Sequence, residues 1–348
     1  MSSYSIVEGD YLRDILDQPQ ALEDTLAALE AAPSLTSPAQ HLRQGEFKRI
    51  VLTGMGSSYH GLHPLNLQLI RQGFTSFMVE TSELVHYMPS LFDSETLVVA
   101  VSQSGQSAET MRLLEICRGK SFLLGITNTQ EGGLARRADL TVLTRAGRES
   151  TVSCKTYVAM LLSLAWVGDV LCGRNPESSL QELQPAVLAV RRYLARWPDY
   201  ARSLAAELEG IQSLFFTGRG ASLAAVGTGG LIVKESDHFH AEGMSAAAFR
   251  HGPLEMVSGS VYVVVFSGDP KTRDLNTRLA QDVQSCGGRT ALVGAHSAID
   301  AFRLPEVSAN IGPILEILPV QMITLALAAR VGREAGKFEF ASKITASE

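Results

Sequence analysis

The chain has 348 residues, a formal net charge of −6, and 45% hydrophobic against 19% charged residues. That length suits two domains of ordinary size, and the balance buries a sizeable core, which excludes a disordered chain. The charge carries no basic block, which sets nucleic acid aside as the main partner.

At the start, Leu12, Ile15, Leu16, Leu22, Leu26 and Leu29 recur at helical spacing until Pro33, Ser34, Ser37 and Pro38 break the pattern. Residues 1–44 therefore read as an N-terminal helical arm. Arg49–Thr53 reads as a strand, Gly54-Met55-Gly56-Ser57-Ser58 as its exit loop and Tyr59–Arg71 as the helix behind it. The Gly-x-Gly pair lacks the third glycine of a dinucleotide fingerprint, so hydroxyls rather than a nucleotide turn mark this loop. A strand follows at Ser76–Glu80, and the isolated His86 beyond it reads as surface packing.

Leu97–Val101 is a nearly unbroken valine-rich run, as expected of a parallel strand covered on both faces. It empties into Ser102-Gln103-Ser104-Gly105-Gln106-Ser107, and Ala108–Cys117 then reads as a helix with Ser107 as its N-cap. Hydroxyls and free backbone N–H groups at the positive end of a helix form an anion cradle, with phosphate as the anion. An ordinary Ser/Gly turn is the alternative. Ser121–Thr127 and Leu140–Leu143 are the next strands, and Ala146–Thr156, which includes Thr151 and Lys155, is a third polar loop ahead of an apolar helix from Tyr157 to Leu171.

The chain then repeats itself. Leu52-Thr53-Gly54-Met55-Gly56-Ser57-Ser58 recurs as Phe216-Thr217-Gly218-Arg219-Gly220-Ala221-Ser222, and Tyr262–Phe266 mirrors the valine strand. Two copies of one α/β unit follow, joined by a helical connection over 176–204. The second copy offers only Ser267-Gly268-Asp269-Pro270 where the first has its serine loop, and Asp269 would repel phosphate. It carries ionisable groups instead: Leu231–His240 reads as a helix bearing Lys234, Glu235, Asp237, His238 and His240, with Glu242 after it and His251 ahead of Gly252-Pro253. A carboxylate can move a proton between neighbouring sugar carbons, and an imidazole can open a sugar ring. Glu235 also reads as a solvated helix carboxylate, and the His238, His240, Glu242 spacing matches no standard zinc site. Ile314–Ala329 is a long apolar helix, and Phe338, Phe340 and Ile344 give the tail apolar anchors around Lys343, a lysine able to form an imine with a ketose.

The four cysteines, Cys117, Cys154, Cys172 and Cys286, read as reduced core residues. The opening residues hold no signal-peptide core and no run reads as long and clean enough to span a bilayer, so a cytoplasmic protein is expected.

Taken together, Gly56-Ser57-Ser58, Ser102-Gln103-Ser104-Gly105, Lys234-Glu235 followed by His240-Ala241-Glu242, His251-Gly252-Pro253-Leu254 and Lys343 resemble the sugar isomerase (SIS) family. The likeness runs from about residue 45 to 348 and is greatest to the isomerase half of the glucosamine-6-phosphate synthases. It implies two tandem SIS domains, each a parallel-sheet three-layer αβα sandwich of flavodoxin-like type, at 45–175 and 205–334, with 335–348 a tail closing over the active site. It further implies that Ser57, Ser58, Ser102, Gln103, Ser104 and Ser107 hold a sugar phosphate and that Thr151 contacts the sugar. Glu235 would shuttle a proton between C1 and C2, Lys343 would hold the open-chain ketose, and His251 would assist ring opening across a homodimer interface. Ser107 stands where the family has threonine, and Gly336-Lys337-Phe338-Glu339-Phe340 replaces the usual asparagine, proline and arginine-rich segment before the lysine.

The family synthase begins with a glutaminase domain, whereas about forty residues precede the first unit here, so the chain is not expected to hydrolyse glutamine. The resemblance therefore points to an amino-sugar-phosphate isomerase/deaminase that needs no cofactor or metal. A fructosamine-6-phosphate deglycase, a partner-dependent or ammonia-dependent synthase, a simple aldose/ketose isomerase and a non-catalytic phosphosugar sensor are the alternatives.

Overall fold

A computed structural model describes residues 7–340 and 342–343. The chain divides into two compact units, one holding residues 19–148 and 155–187 with the terminal residues from Phe340, the other residues 1–18, 149–154 and 188–339.

The first unit is built on five parallel strands: β1 (Arg49–Gly54), β2 (Ser76–Glu80), β3 (Thr96–Val101), β4 (Phe122–Thr127) and β5 (Leu140–Leu143). Their order, β2-β1-β3-β4-β5, places β3 at the centre, where all six of its residues are buried, as its unbroken apolar sequence requires. Helix α1 (Ala108–Cys117) follows β3, and helix α2 (Lys155–Leu171), apolar on nearly every side, is buried over almost its whole length. Val51, Val98, Leu113, Leu114 and Leu123 are part of one core between the sheet and its helices.

The second unit repeats the plan with β6 (Ser213–Gly218), β7 (Ala241–Ser245), β8 (Val261–Phe266) and β9 (Arg289–Val293) in the order β7-β6-β8-β9, again all parallel. Helix α3 (Leu223–Asp237) follows β6, and helix α4 (Gly312–Val331) closes the unit. Both sheets have the flavodoxin-like order, in which the chain runs outward on one side of its first strand and then on the other. That reversal opens a crevice at the carboxyl ends of β1 and β3 in one unit and of β6 and β8 in the other.

The structure corrects several expectations from sequence. Ser57 and Ser58 open a short helix, Ser57–His60, and a second helix runs His63–Arg71, so the single helix from Tyr59 is broken; Pro64 in the first turn, lacking an N–H, marks the restart. The helix carrying Glu235 ends at Asp237, where His238 turns left-handed at φ +50°, so His240 lies beyond it, directly ahead of β7. β7 and β9 had no clear periodicity because both are edge strands with a solvated side. Cys286 is exposed and not a core residue. α4 is long and apolar enough to cross a membrane, with mean hydropathy 1.7, yet 83% of that stretch is buried in the protein; its composition reflects a core position.

Candidate functional site

In the first unit, Thr53 lies level with Ala100, so β1 and β3 end together and release their loops at the same edge. The β1 loop turns through Gly56 into the helix of Ser57 and Ser58, both half-buried, whose hydroxyls find no partner among the described residues.

The β3 loop is organised by its own side chains. Gly105 N–H donates to Ser102 Oγ at 3.1 Å and Gln106 N–H to Ser104 Oγ at 3.2 Å. Ser107 caps α1, accepting Thr110 N–H at 3.4 Å and lying 2.9 Å from the Thr110 hydroxyl. In Ser102 and Ser104 the oxygen is thus used as an acceptor while the hydroxyl proton remains to be given outward. The first N–H groups of α1 add donors of the same sign, at the positive end of the helix. Gln103 anchors the loop from below, its carbonyl accepting from Asn128 N–H at 3.1 Å and from the hydroxyls of Thr127 at 3.2 Å and Thr129 at 3.3 Å. Gly105 sits at φ +63°, and a Cβ there would lie 3.1 Å from Leu134 Cβ, so both conformation and space require glycine.

Asn128 was missed in the sequence. Its Oδ1 accepts from Thr144 Oγ1 at 2.9 Å and Ala146 N–H at 2.7 Å, and its Nδ2 donates to Gly147 carbonyl at 2.7 Å. It thereby ties the loop after β5 to the loop that holds Gln103. Its only signal was an amide between two threonines at a strand exit.

The second unit uses the equivalent groups differently. Ser222, the counterpart of Ser58, donates its hydroxyl to Glu316 Oε1 at 2.7 Å, and Ser267 donates to Val293 carbonyl at 2.8 Å. Asp269 Oδ1 accepts from Lys271 N–H at 2.9 Å. Burial pushes the Glu316 carboxyl up to about 7, with the Ser222 hydrogen bond pulling the other way, and its Oε2 has no partner. In this crevice the hydroxyl protons of Ser222 and Ser267 are thus spent on the protein itself.

The same unit holds Glu235, half-buried in the last turn of α3, and His251, exposed just after the helix Ala246–Arg250. Lys234 faces Glu242, its Nζ 3.3 Å from both carboxylate oxygens, so neither belongs to a metal cluster. Asp237 is buried and burial holds its carboxyl well above the usual range, with the Arg333 charge and the Ser236 hydroxyl acting against that. Thr151 groups with this unit, its hydroxyl donating to Asp14 Oδ2 at 3.3 Å. The structure therefore gathers Ser57, Ser58, Ser102, Gln103, Ser104 and Ser107 at the edge of one sheet, and places Glu235, His251 and Thr151 in the other unit. Lys343 is half-buried and groups with the first unit. Of the expected tail anchors, Phe338 is half-buried, Phe340 is 92% exposed and so does not serve as one, and Ile344 lies outside the described residues. Among the described residues, no three His, Cys, Asp or Glu side chains are placed to hold a metal.

Comparison with known proteins bears on both units. The family model described as SIS domain matches residues 46–167 and 207–329, once on each repeat. The chain is 29% identical over 333 residues to the isomerizing glutamine–fructose-6-phosphate aminotransferase of Pyrococcus horikoshii, covering 92% of this chain and 55% of the relative. It is 30% identical over 337 residues to that of Pyrobaculum aerophilum, covering 94% of this chain and 55% of the relative. The chain thus spans about half the length of these relatives. Among solved structures, the C-terminal domain of glucosamine-fructose-6-phosphate aminotransferase from Francisella tularensis superposes with a TM-score of 0.82 at 22% identity, covering 93% of this chain and 97% of that one. Glucosamine-6-phosphate deaminase from Thermotoga maritima superposes at 0.75 and 19% identity, covering 97% of this chain and 100% of that one. At these identities the two structures speak to the fold.

Proposed function

The chain belongs to the SIS domain family, whose model covers both of its α/β repeats, and from that premise we propose that it interconverts a hexosamine 6-phosphate, glucosamine 6-phosphate foremost, with the ketose 6-phosphate and ammonia. The observation that carries the ligand class is the β3 loop, where backbone N–H groups occupy the oxygens of Ser102 and Ser104 and leave their protons for an anion. Ser57, Ser58, Gln103, Ser107 and the start of α1 complete the grip on the phosphate. The relatives, named as fructose-6-phosphate aminotransferases, suggest the sugar class.

The chemistry follows from the groups at hand. His251, donated by a second copy of the chain, assists opening of the sugar ring to the C1 aldehyde. Glu235 takes the proton from C2, giving a C1–C2 enaminol, and returns it to C1, leaving a C2 imine. Water adds to C2 and ammonia leaves, which yields the ketose phosphate. Lys343 holds the open-chain ketose as its own C2 imine, with water released as that imine forms and taken up as it breaks. Thr151 borders the sugar.

The test is ammonia and ketose 6-phosphate release from glucosamine, galactosamine and fructosamine 6-phosphates, with Glu235→Gln and Lys343→Ala as controls. Release from one hexosamine phosphate that both substitutions abolish supports the reading. Aldose/ketose interconversion without ammonia, or cleavage confined to fructosamine phosphates, would replace it with a simple isomerase or a deglycase.

A further inference from the structure

The terminal segment ahead of Lys343 departs from the family pattern, and the structure shows what stands in its place. α4 ends at Gly332, left-handed at φ +69°, and Arg333 N–H closes back onto Ala328 carbonyl at 3.0 Å. Ala335 is buried, and Gly336 N–H donates to Ser236 Oγ at 3.0 Å. Gly336 lies at φ +73°, and a Cβ there would fall 2.5 Å from Tyr11 Cγ, so the backbone is pressed on the tyrosine ring where no other residue fits.

Arg333 then joins the tail to the end of α3. Its Nη2 lies 2.8 Å from Glu339 Oε1 and 2.9 Å from His238 Nε2, and His238 Nδ1 lies 3.7 Å from Glu339 Oε2. A guanidinium N–H can reach Nε2 only if that nitrogen keeps its lone pair, which places the imidazole proton on Nδ1, toward Glu339. His238 is the residue after α3 and stands three positions beyond Glu235. Ser236 and His238 are thus both used to pin the tail.

We propose that Gly332–Glu339 is a positioning clasp that fixes the tether of Lys343 to the end of the helix carrying Glu235, with Arg333 and Gly336 as its positioning residues. The inference rests on the catalytic roles proposed above. Glu339 precedes Lys343 by four residues, a tether of at most about 14 Å, whereas release of the clasp lengthens it to twelve residues counted from Val331, at most about 42 Å. The local concentration of the lysine falls as about the three-halves power of tether length, so opening lowers it about fivefold. Phosphate binding, which uses other loops, is unaffected.

The experiment compares wild type with Arg333→Ala, Glu339→Gln and Gly336→Ala in ammonia release from glucosamine 6-phosphate and in the rate at which trypsin frees the peptide after Lys337. The expected result is a kcat at least about fivefold lower with KM within twofold, together with faster tail cleavage, in each variant. Arg333→Ala and Glu339→Gln alter partly exposed side chains and serve if Gly336→Ala does not fold. Unchanged cleavage overturns the clasp whether or not the wild type turns over this sugar. Faster cleavage with unchanged kcat overturns its positioning role. A wild type that releases no ammonia from any hexosamine phosphate overturns the proposed reaction, and with it that role, while the cleavage rates still decide whether the clasp exists.

Discussion

Glu316 offers a test that needs no substrate. Its carboxyl rises from 4.5 to about 7 in the folded chain because burial penalises the charged form. Below pH 4.5 both folded and unfolded states hold the proton, and the contribution to stability is fully present. As pH rises from 4.5 toward 7 the unfolded state ionises while the folded one does not, so stability is lost until the folded group also ionises. The loss amounts to about 3 kcal/mol above pH 7. Glu316→Gln keeps an oxygen to accept from Ser222 and cannot ionise, and its amide replaces an oxygen that already has no partner. Wild type and variant are therefore expected to unfold at similar temperatures at pH 4, and the variant to unfold about 4 °C higher at pH 8, measured by circular dichroism. Asp237 titrates in both proteins and cancels in the difference. A variant that tracks the wild type at every pH would refute the buried, proton-holding carboxyl.

In the proposed phosphate site, Ser102→Ala and Ser104→Ala each remove a hydroxyl donor together with the acceptor of one loop N–H, and are expected to weaken phosphosugar binding about tenfold to a hundredfold by calorimetry and to cost about 1 kcal/mol of stability. Gly105→Ala forces a side chain into the left-handed region against Leu134 and is expected to cost about 1–2 kcal/mol and to weaken the same ligand. Glu235→Gln is expected to lower kcat about a hundredfold or more while the calorimetric affinity holds, since in the proposed reaction the carboxylate acts on the proton and not on the phosphate. The proposed donation of His251 across a homodimer predicts that co-expressed His251→Ala and Glu235→Gln chains recover about a quarter of wild-type activity, since half of such dimers are mixed and each has one intact site; no recovery would place His251 in the site of its own chain.

What the sequence revealed follows burial. β3 and β8 were visible because all their residues are buried and all but Thr96 are apolar or aromatic, and Ser107 was visible as a cap because only a short polar side chain before an apolar helical run can take the Thr110 N–H. β7, read as Ala-Glu-Gly-Met-Ser, was not, since an edge strand in partial solvent needs no alternation. Asn128 and Glu316 escaped for another reason. Each acts through partners distant in sequence, Ala146 for one and Ser222 for the other, and nothing within a few residues of either signals the pairing. The clasp was hidden in the same way, for Gly336 reads as an ordinary tail glycine until Tyr11 is placed against it.

The two crevices differ less in their backbones than in the partners their serines find. Both follow a strand and a Gly-x-Gly turn whose second glycine is left-handed, Gly56 at φ +53° and Gly220 at φ +62°, and both place a serine two residues on. The difference lies in the direction of the hydroxyl protons. In the first unit backbone N–H groups fill the serine oxygens of the β3 loop, so the hydroxyl protons remain to be given outward. In the second, Ser222 and Ser267 donate inward, to Glu316 and to Val293 carbonyl. An acid on α4 and a carbonyl of β9 thus take up in the second copy the hydroxyl protons that the first copy leaves over, without altering the sheet.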